Sequence, residues 1–530
     1  MAASGTAIRF SQQGGSHREP AEATSSSREN LMRPSSVAVL AGILSLAFSA
    51  VVAAGNDAAP AGGPHDDHHD GDHRGDGPPG EGAEWHRNPS GVALTLSAGG
   101  RIDRGSPFFT SLGANGRSCE SCHQAAEGWS ITPRGVRERF EATGGKDPIF
   151  RPVDGANSPR ADVSTRAARE KAYGMLLRHG VIRVGLPIPA GAEFELAQVD
   201  DPYGYASAAE LSLFRRPLAA TNLRFLSTVM WDGRETFKDA AGSDCIAGTT
   251  TCFASQHFDL LDQANSATTG HAQAPAPLTT AQREAIVAFE AGLTTAQVRD
   301  DDAGDLTAHG AHGGPKALQG QASYFGINDT LAGDYRSHAN FTPAAMSLYT
   351  SWQSYIPDAR RPDPEGRSRE VAVARRAVAR GEALFNGKPI NITGVKGLND
   401  ALGAPVIAGT CTTCHDAPNA GDHSVPLPLD LGLADASRRS PDQPLYTLRN
   451  LATGATIQTT DPGRALVTGK WADIGKFKGP TLRALAARAP YFHNAFADDL
   501  HAVVTFYDTR FNIGLTQQEQ DDLVAFLKTL

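Results

Sequence analysis

Two short cysteine motifs constrain this chain of 530 residues more than any other feature. Both read C-x-x-C-H, and they consist of Cys119, Cys122 and His123 in the first motif and of Cys411, Cys414 and His415 in the second. Two thiols at this spacing can bond to the two vinyl groups of one porphyrin, and the adjoining imidazole can then reach the iron. The motifs therefore predict two covalently bound haem c groups, with His123 and His415 as iron ligands.

The same cysteine pairs would also suit zinc or a redox dithiol. A zinc ribbon places its second pair about 15–20 residues after the first, whereas close to three hundred residues separate Cys122 from Cys411. A thioredoxin-like dithiol needs a strand before it in a βαβ setting, and Gly-rich loops and helices are expected around both pairs here. Two such motifs in a chain with an export signal favour haem c, because bacterial haem c is attached after export.

An apolar run at residues 37–52 predicts that export signal. It follows Met32-Arg33 and ends in small residues, so we expect cleavage near Ala54 and a periplasmic location; an uncleaved anchor is the alternative. No apolar run reaches the roughly 18 residues of a membrane-spanning helix, so no stable membrane span is expected after cleavage. The net charge is -9 and no Lys/Arg stripe stands out, so nucleic acid is not an expected partner.

Two similar segments, residues 278–293 and residues 515–530, indicate a duplication. Each predicts a helix that opens with a capping box and carries apolar residues on one face. One such helix closes each C-x-x-C-H unit, which points to a repeated cytochrome c-like domain. A further helix over residues 370–384 is expected to pack across the terminal helix.

The expected fold class is therefore mainly α, with two cytochrome c-like haem domains, long loops and few short strands. The expected organisation is an N-terminal extension and signal peptide over 1–54, a flexible His/Asp/Gly-rich tail over 55–90, a first haem domain over 91–298, a linker over 299–368 and a second haem domain over 369–530. The two remaining cysteines, Cys245 and Cys252, are expected to form a local disulfide, because the exported compartment permits one.

The methionines restrict what can bind the second iron on its far side. Most electron-transfer haem c domains complete the iron with Met or His there, and this ligand sets the reduction potential. None of the five methionines follows His415 in the sequence. The remaining candidates in the second half are His423, His493, His501, Tyr446, Tyr491 and Tyr507.

Further motifs carry a family resemblance. GKFKGPTLR at residues 475–483 and APYFHN at residues 489–494 resemble the second-haem domain of the bacterial di-haem cytochrome c peroxidases and MauG, and Arg215-Arg216 with WDGR at residues 231–234 resembles their first-haem domain. The resemblance implies a peroxidase with hydrogen peroxide as substrate. It implies as electron donor a small redox protein, a cytochrome c or a cupredoxin, or else a protein substrate. It also implies Ca²⁺ as a candidate cofactor, since the family often binds calcium between its domains.

The resemblance assigns Tyr507 to the second iron. In the peroxidases a ligating Met lies fourteen residues after the His of the PYFH motif, and this chain has Tyr507 there, as MauG also has Tyr. A phenolate favours the ferric and higher oxidation states and lowers the reduction potential. The second haem is therefore expected to store oxidising equivalents in MauG-like, high-valent chemistry. The alternative is that Tyr507 is a core aromatic and that His493 or His501 is the ligand.

The same resemblance places catalytic groups at the first haem. Gln263 matches the family's distal Gln, whereas Gln273 stands where the family has a catalytic Glu. His271 precedes its helix much as Tyr507 precedes the terminal helix, so by the repeat it is a candidate acid/base or sixth ligand; histidine titrates near neutral pH, which suits either role. A buried loop histidine is the alternative.

Other site residues follow from the same motifs. Trp231 matches the family's tryptophan between the haems and is expected to mediate hole transfer, although a Trp in a helical protein is usually core. Arg234 and Arg483 are expected to pair with carboxylates, with a haem propionate as a natural partner of at least Arg483. Many family peroxidases use a removable His soon after the first motif; none occurs here before His179, so activation by prior reduction is not expected.

Two other functions stay open at the level of sequence. A non-enzymatic di-haem electron-transfer cytochrome would hold two low-spin, six-coordinate haems and would not react quickly with peroxide. A haem-dependent oxidase of a protein or organic substrate would bind dioxygen at its reduced first haem.

Overall fold

The computed structural model describes residues 82–236, 255–356 and 368–530, which lie together in the unit Gly75–Leu530. The predicted signal peptide, most of the predicted tail, and Cys245 and Cys252 lie outside the described residues. Within the three described ranges, no helix is both long and apolar enough to cross a membrane.

Helices alternate with short strands along the described chain. The helices are α1 Pro133–Thr143, α2 Arg166–Ala172, α3 Gly174–His179, α4 Ser255–Gly270, α5 Thr280–Gly292, α6 Gly314–Gly320, α7 Ser368–Gly387, α8 Ala465–Thr468, α9 Leu500–Phe511 and α10 Gln517–Lys528. The strands are β1 Ala83–Asn88, β2 Gly91–Ser97, β3 Ile182–Leu186, β4 Phe194–Asp200, β5 Leu211–Arg215, β6 Leu293–Asp300, β7 Gly304–Asp305, β8 Ile390–Thr393, β9 Val406–Gly409, β10 Leu445–Asn450 and β11 Thr456–Thr459.

The strands form several small antiparallel sheets. Their strand orders are β1-β2-β6-β7, β11-β10-β4, β3-β5 and β8-β9. The structure is about 32% helical and 17% strand. Helices predominate, but the strand content is higher than the few short strands that the sequence predicts. The first sheet begins at Ala83, inside the predicted flexible tail, because β1 pairs with β2 along its whole length.

Strand β6 shows why the sequence underestimates the sheet content. Its Thr294, Thr295 and Gln297 are all buried, so it lacks the alternation of apolar and polar residues that marks a half-exposed strand. The Thr295 hydroxyl lies 2.9 Å from the Thr95 hydroxyl and 2.8 Å from the Thr221 hydroxyl. Hydrogen bonds between hydroxyls thus replace the apolar contacts on which the prediction depends.

The two similar helices that the sequence predicts are confirmed as α5 and α10. Each begins with the predicted capping box, in which the N-terminal Thr side chain accepts from the amide three residues later and that later side chain bonds back to the Thr amide. Both helices lie in the core of their own half of the chain, with Phe289 of α5 and Phe526 of α10 buried.

Helix α7 packs closely across α10, as the sequence predicts. A Cβ atom on Gly381 would lie 2.0 Å from the carbonyl oxygen of Asp522, so this approach of the two helices requires glycine. The Arg380 guanidinium donates to both carboxylate oxygens of Asp522 at 2.7 Å. The contact continues inward, where the rings of Phe385 and Phe526 lie 5.6 Å apart.

Segments of both predicted haem domains pack into one another. Strand β4 comes from the first half and pairs with β10 from the second. Nearby, the buried Arg215 guanidinium donates to Asp461 at 2.7 and 2.9 Å and to Asp232 at 2.5 Å. This charged cluster joins the first-half motifs to the loop before α8.

Replacement of Arg215 by Ala is expected to lower the free energy of unfolding by about 3–5 kcal/mol, because it leaves Asp232 and Asp461 buried without their counter-charge. Denaturant unfolding of the haem-loaded wild type and variant measures the difference. Arg134→Ala removes an exposed arginine, whose nearest carboxylate is Glu138 at 3.8 Å, and should cost no more than about 0.5 kcal/mol. A loss for Arg215→Ala as small as that of this control would contradict the assignment.

The same cluster predicts a dependence of stability on pH. Burial by itself raises the pKa of Asp232, but the charges of Arg215 and Arg234 outweigh it and hold this pKa at about 2. Since an unfolded Asp titrates near pH 3.9, the stabilisation is complete above about pH 4 and is lost as the pH falls towards 2. Over that interval the wild type should lose stability more steeply than Arg215→Ala.

Two candidate haem cavities and their shared wall

The two C-x-x-C-H motifs adopt the same local shape. Cys119–Ser121 and Cys411–Thr413 each form a 3-10 turn, and each turn is closed by a capping box. The amide of the following histidine then donates to the carbonyl of the first cysteine, at 3.0 Å for His123 and 3.2 Å for His415. Each motif is therefore one turn that carries two thiols and an imidazole.

The four motif thiols are free of disulfides. Burial raises the pKa of Cys411 and of Cys414 to about 12, and burial also raises the pKa of Cys119 and of Cys122. Burial thus keeps the unligated thiols protonated, and the wide separation of the two pairs, not their pKa values, is what disfavours a zinc ribbon.

Both motif histidines are oriented by a backbone carbonyl. The Nδ1 atom of His123 lies 3.1 Å from the Trp129 oxygen, and that of His415 lies 2.5 Å from the Gly421 oxygen. Burial lowers the pKa of His123 and lowers that of His415 to about 4. Each ring is therefore neutral. Its Nδ1–H donates a hydrogen bond to the carbonyl, and its Nε2 is available as a metal ligand.

Each histidine lines a cavity beside its motif. The first cavity has about 1340 Å³ including its open mouth and is lined by His123, Gln263 and His271, among others. The second has about 1750 Å³ on the same measure and is lined by His415 and Tyr507. Each cavity thus has a neutral imidazole and two thiols in its wall, the donor set of a covalently bound haem c.

Tyr507 lines the second cavity with a hydroxyl that has no hydrogen-bond partner among the described residues. Its ring lies between aromatic neighbours, 6.1 Å from Phe492 and 6.4 Å from Phe511 by ring centroids. Burial, with a smaller effect of the cysteine charges, raises the pKa of this phenol well above its usual value. Tyr507 is half-buried, and a hydroxyl without a protein partner fits a metal ligand, because a bound metal displaces the proton.

Most of the other candidates for the second iron are already engaged. The Tyr446 hydroxyl donates to the Ser212 carbonyl at 2.7 Å, and the Tyr491 hydroxyl donates to the Leu485 carbonyl at 2.9 Å. His423 lines the cavity as well: its Nδ1 accepts from the Val425 amide at 3.4 Å and lies 3.5 Å from Asp416, whereas its Nε2 has no hydrogen-bond partner. His501 is exposed and does not line the cavity.

His493 lines the second cavity but is held flat against its wall. Its ring stacks on Phe477 with the centroids 3.8 Å apart, and it lies 6.2 Å from Trp231. Its Nε2 has no hydrogen-bond partner, and burial lowers its pKa to about 4. His493 is thus a neutral ring in an aromatic cluster beside Trp231.

The two cavities share a wall. The residues that line both are Arg216, Pro217, Leu218, Trp231 and Lys478. The Trp231 indole donates to the Arg216 carbonyl at 2.8 Å, and the Lys478 amide donates to the Trp231 carbonyl at 2.9 Å. The predicted intermediary tryptophan therefore lies between the two sites, with its ring orientation fixed.

In the first cavity the structure brings two of the three predicted distal side chains together. Gln263 and His271, on and just after α4, both line it. The placement of Gln273 in the site was wrong: its side chain is exposed and bonds to Asn115 at 3.3 Å. Helix α4 ends at Gly270, and the backbone then turns with a φ of 56° at Gln273, which directs this side chain away from the cavity.

Three titratable residues at the first cavity lie outside the motifs and were not predicted. Asp154 accepts a bond from His271, Arg117 bonds to Asp154, and Glu290 of α5 lines the cavity. Burial raises the pKa of Glu290 to about 8, so this carboxyl is neutral at pH 7. Of these three residues, only Arg117 lies next to a recognised motif, two residues before Cys119.

Of the two predicted arginines, Arg234 pairs with a carboxylate as expected and Arg483 does not. Arg234 lines the first cavity and pairs with Asp232 at 3.0 Å. Arg483 lines neither cavity and donates to the Asn419 and Gly314 carbonyls at 3.3 and 3.4 Å. Arg488 instead lines the second cavity, and among the described residues it has no carboxylate partner. A propionate at the second site would therefore meet Arg488 rather than Arg483.

Calcium stays a prediction. Among the described residues, the group with ligand spacing consists of Asp329, Asp416 and His423. Its carboxylate oxygens already accept bonds from neighbouring amides, for example Ser424 to Asp416 at 2.6 Å and Ala332 to Asp329 at 3.1 Å. These bonds account for the two carboxylates as turn-forming groups.

Fold and site define a c-type haem protein with two unlike cavities. No protein-family model matches the chain. It is 33% identical over 171 residues to cytochrome-c peroxidase IdrP1 of Pseudomonas sp. (strain SCT), which is 28% of this chain and 39% of that protein. It is 30% identical over 207 residues to the IdrP1 protein of Denitromonas iodatirespirans, which is 35% of this chain and 48% of that protein.

A further match is cytochrome c551 peroxidase of Nitrosomonas europaea, 34% identical over 123 residues, 23% of this chain and 30% of that protein. The chain thus spans less than half the length of these relatives. A crystal structure of a MauG-like protein associated with microbial copper homeostasis has a TM-score of 0.33 and 16% identity over 81% of this chain and 88% of that one, too low to establish a fold. The sequence matches agree with the resemblance that the motifs carry: over these segments the chain is similar to bacterial cytochrome c peroxidases.

Proposed function

We propose that this protein is a periplasmic di-haem c-type peroxidase. Hydrogen peroxide is reduced in the first cavity, and the oxidising equivalents are shared with a second haem ligated by His415 and Tyr507. The observation that carries the proposal is the wall with Trp231 that both motif-bearing cavities share. Electrons are restored by a small redox protein or by a protein substrate.

Two sets of residues would hold the cofactors. The first comprises Cys119, Cys122 and His123, and the second comprises Cys411, Cys414, His415 and Tyr507. Bound haem supplies the iron at which peroxide is reduced and on which oxidising equivalents are kept. The protein supplies what iron alone lacks: Gln263 binds peroxide, His271 moves its proton, and the apolar lining of the second cavity keeps water from the phenol.

Trp231 is the residue through which the two sites communicate. Its ring belongs to both cavity walls, and the stacked rings of His493 and Phe477 lie beside it in the second cavity. An indole loses an electron more readily than the aliphatic side chains of the same wall. Trp231 therefore provides a path by which an oxidising equivalent passes between the cavities without a donor molecule between them.

Trp231→Phe is expected to uncouple the two sites. The first haem should still react with peroxide, while oxidation of the second haem slows by about tenfold or more, as roughly 1.4 kcal/mol of added barrier would produce. Rapid mixing of the ferric protein with one equivalent of peroxide, followed at the absorption bands of both haems, measures the two rates separately.

The matched control is Trp85→Phe, which changes a half-exposed tryptophan on β1. It should leave both rates unchanged. Equal rates at the second haem in Trp231→Phe and wild type would remove Trp231 from the path. If the wild-type protein does not react with peroxide at either haem, the proposed function is wrong.

A further inference from the structure

We infer that Asp154 and Arg117 are positioning residues that make His271 the proton-transfer group of the first cavity. The inference rests on the proposed function and deepens it, because it identifies how this chain replaces the carboxyl that the peroxidase resemblance led us to expect near Gln273. The unit combines three separate segments: the residues before the first motif, the loop between α1 and α2, and the turn just after α4.

The contact between Asp154 and His271 fixes the imidazole. The Asp154 Oδ2 atom lies 2.6 Å from the His271 Nδ1 atom. The Asp154 side chain is 5% exposed and that of His271 is 38% exposed. The carboxylate is thus the buried partner of the pair, and the imidazole is the more exposed partner and lines the cavity.

Arg117 holds the carboxylate from the other side. Its Nη1 donates to Asp154 Oδ1 and also to the His271 carbonyl at 3.2 Å. Its Nε donates to the Pro148 carbonyl at 2.8 Å, and its Nη2 donates to the Ile149 carbonyl. With every arm of the guanidinium engaged and the side chain buried, Arg117 fixes both the carboxylate and the backbone of His271.

Charge decides which nitrogen carries the proton. Burial by itself raises the pKa of Asp154, but the bond from His271 and the charge of Arg117 outweigh it and lower this pKa below its usual value. The ionised carboxylate keeps a proton on Nδ1 of His271. The Nε2 atom is then the nitrogen left for chemistry in the cavity, the arrangement by which a carboxylate orients a catalytic histidine in hydrolases.

The proton step balances within this arrangement. Nε2 takes the proton from one oxygen of hydrogen peroxide and returns it to the other oxygen, which leaves as water when the O–O bond breaks. The two electrons for this cleavage come from the haem-loaded protein and are restored by its redox donor. The charged and titratable groups around His271 are Asp154 and Arg117 beside it, with His123, Glu290 and Arg234 among the lining residues of the same cavity.

A double-mutant cycle on the haem-loaded protein tests the inference. The variants are Asp154→Asn, His271→Gln and the two combined, with Asp162→Asn as a control at an exposed aspartate of the same half. Binding of cyanide to the ferric protein is the first readout, because hydrogen cyanide must give up its proton to a nearby base as it binds. Peroxide turnover is the second readout.

Each single variant is expected to slow both processes by about 10²-fold, the usual contribution of a positioned acid/base group. The double variant should be no slower than His271→Gln alone, since Asp154 acts only through His271. Asp162→Asn should match the wild type. Losses that multiply in the double variant, or wild-type rates in Asp154→Asn, would overturn the inference.

A second variant covers the case in which Asp154→Asn does not fold. Asp154→Glu keeps the negative charge opposite Arg117 but shifts the carboxylate by one methylene. It should retain haem and thermal stability while losing at least about tenfold in cyanide association; an unchanged rate would overturn the inference. If the double-mutant cycle shows that Asp154 and His271 act together in cyanide binding but the wild type does not turn over peroxide, the proposed function is wrong and the positioning role still holds.

Discussion

Replacement of Tyr507 by Met is expected to raise the reduction potential of the second haem by on the order of 0.2–0.4 V, within the roughly 0.8 V over which axial ligands set haem potentials. A phenolate stabilises ferric iron as a hard anionic donor, whereas a thioether stabilises the ferrous state. Tyr507 is half-buried in the cavity wall, and its hydroxyl has no partner among the described residues that would compete with a metal. The variant should also shorten the lifetime of the oxidised state that peroxide generates.

A spectroelectrochemical titration measures both haem potentials in wild type and variant. Tyr491→Phe is the matched control, because Tyr491 lines the same cavity but already donates its hydroxyl to Leu485. The control should change the potential of the second haem by far less than Tyr507→Met. An unchanged potential in Tyr507→Met would remove Tyr507 from the coordination sphere and leave His493 as the alternative.

His271→Gln is expected to lower peroxide turnover by about 10²–10⁴-fold, the contribution of a general acid/base group. Glutamine preserves a polar side chain of similar length but cannot carry a proton between the two peroxide oxygens. The rate of the reaction with peroxide should fall, whereas the rate of electron transfer from a reduced donor should be unchanged. Stopped-flow measurement of the peroxide step and steady-state turnover together separate these two effects.

His257→Gln provides the control on the same helix. His257 is exposed and bonds to Glu284 at 3.0 Å, outside the first cavity. Turnover in this variant should match the wild type. If His271→Gln retains turnover but its ferric haem changes from six- to five-coordinate, His271 is an axial ligand and the acid/base assignment is wrong.

The parts of the site that the sequence predicts are those set by local geometry. The cysteines and histidine of each motif lie within five residues, so their relation follows from one turn of chain. The capping boxes of α5 and α10 are likewise local, because the bonds that define them join residues three apart. The position of Trp231 between the two sites is likewise predicted from its neighbours in the WDGR motif.

The parts that escaped prediction depend on contacts distant in sequence. Asp154 and His271 are 117 residues apart, and neither lies in a motif from which its contact with the other could be predicted. Arg488 and Arg483 are close in sequence, and only the fold shows that Arg488 lines the second cavity while Arg483 bonds to carbonyls elsewhere. The pairing of β4 with β10 joins opposite halves, which no local periodicity indicates.

The spectra of the exported ferric protein before and after one equivalent of hydrogen peroxide, without any reductant, test the account most directly. Two covalently attached haems with distinct EPR signals, both changing to a persistent oxidised state on mixing, is the predicted result. One attached haem, two equivalent nitrogen-ligated irons, or spectra that respond only after prior reduction would contradict it.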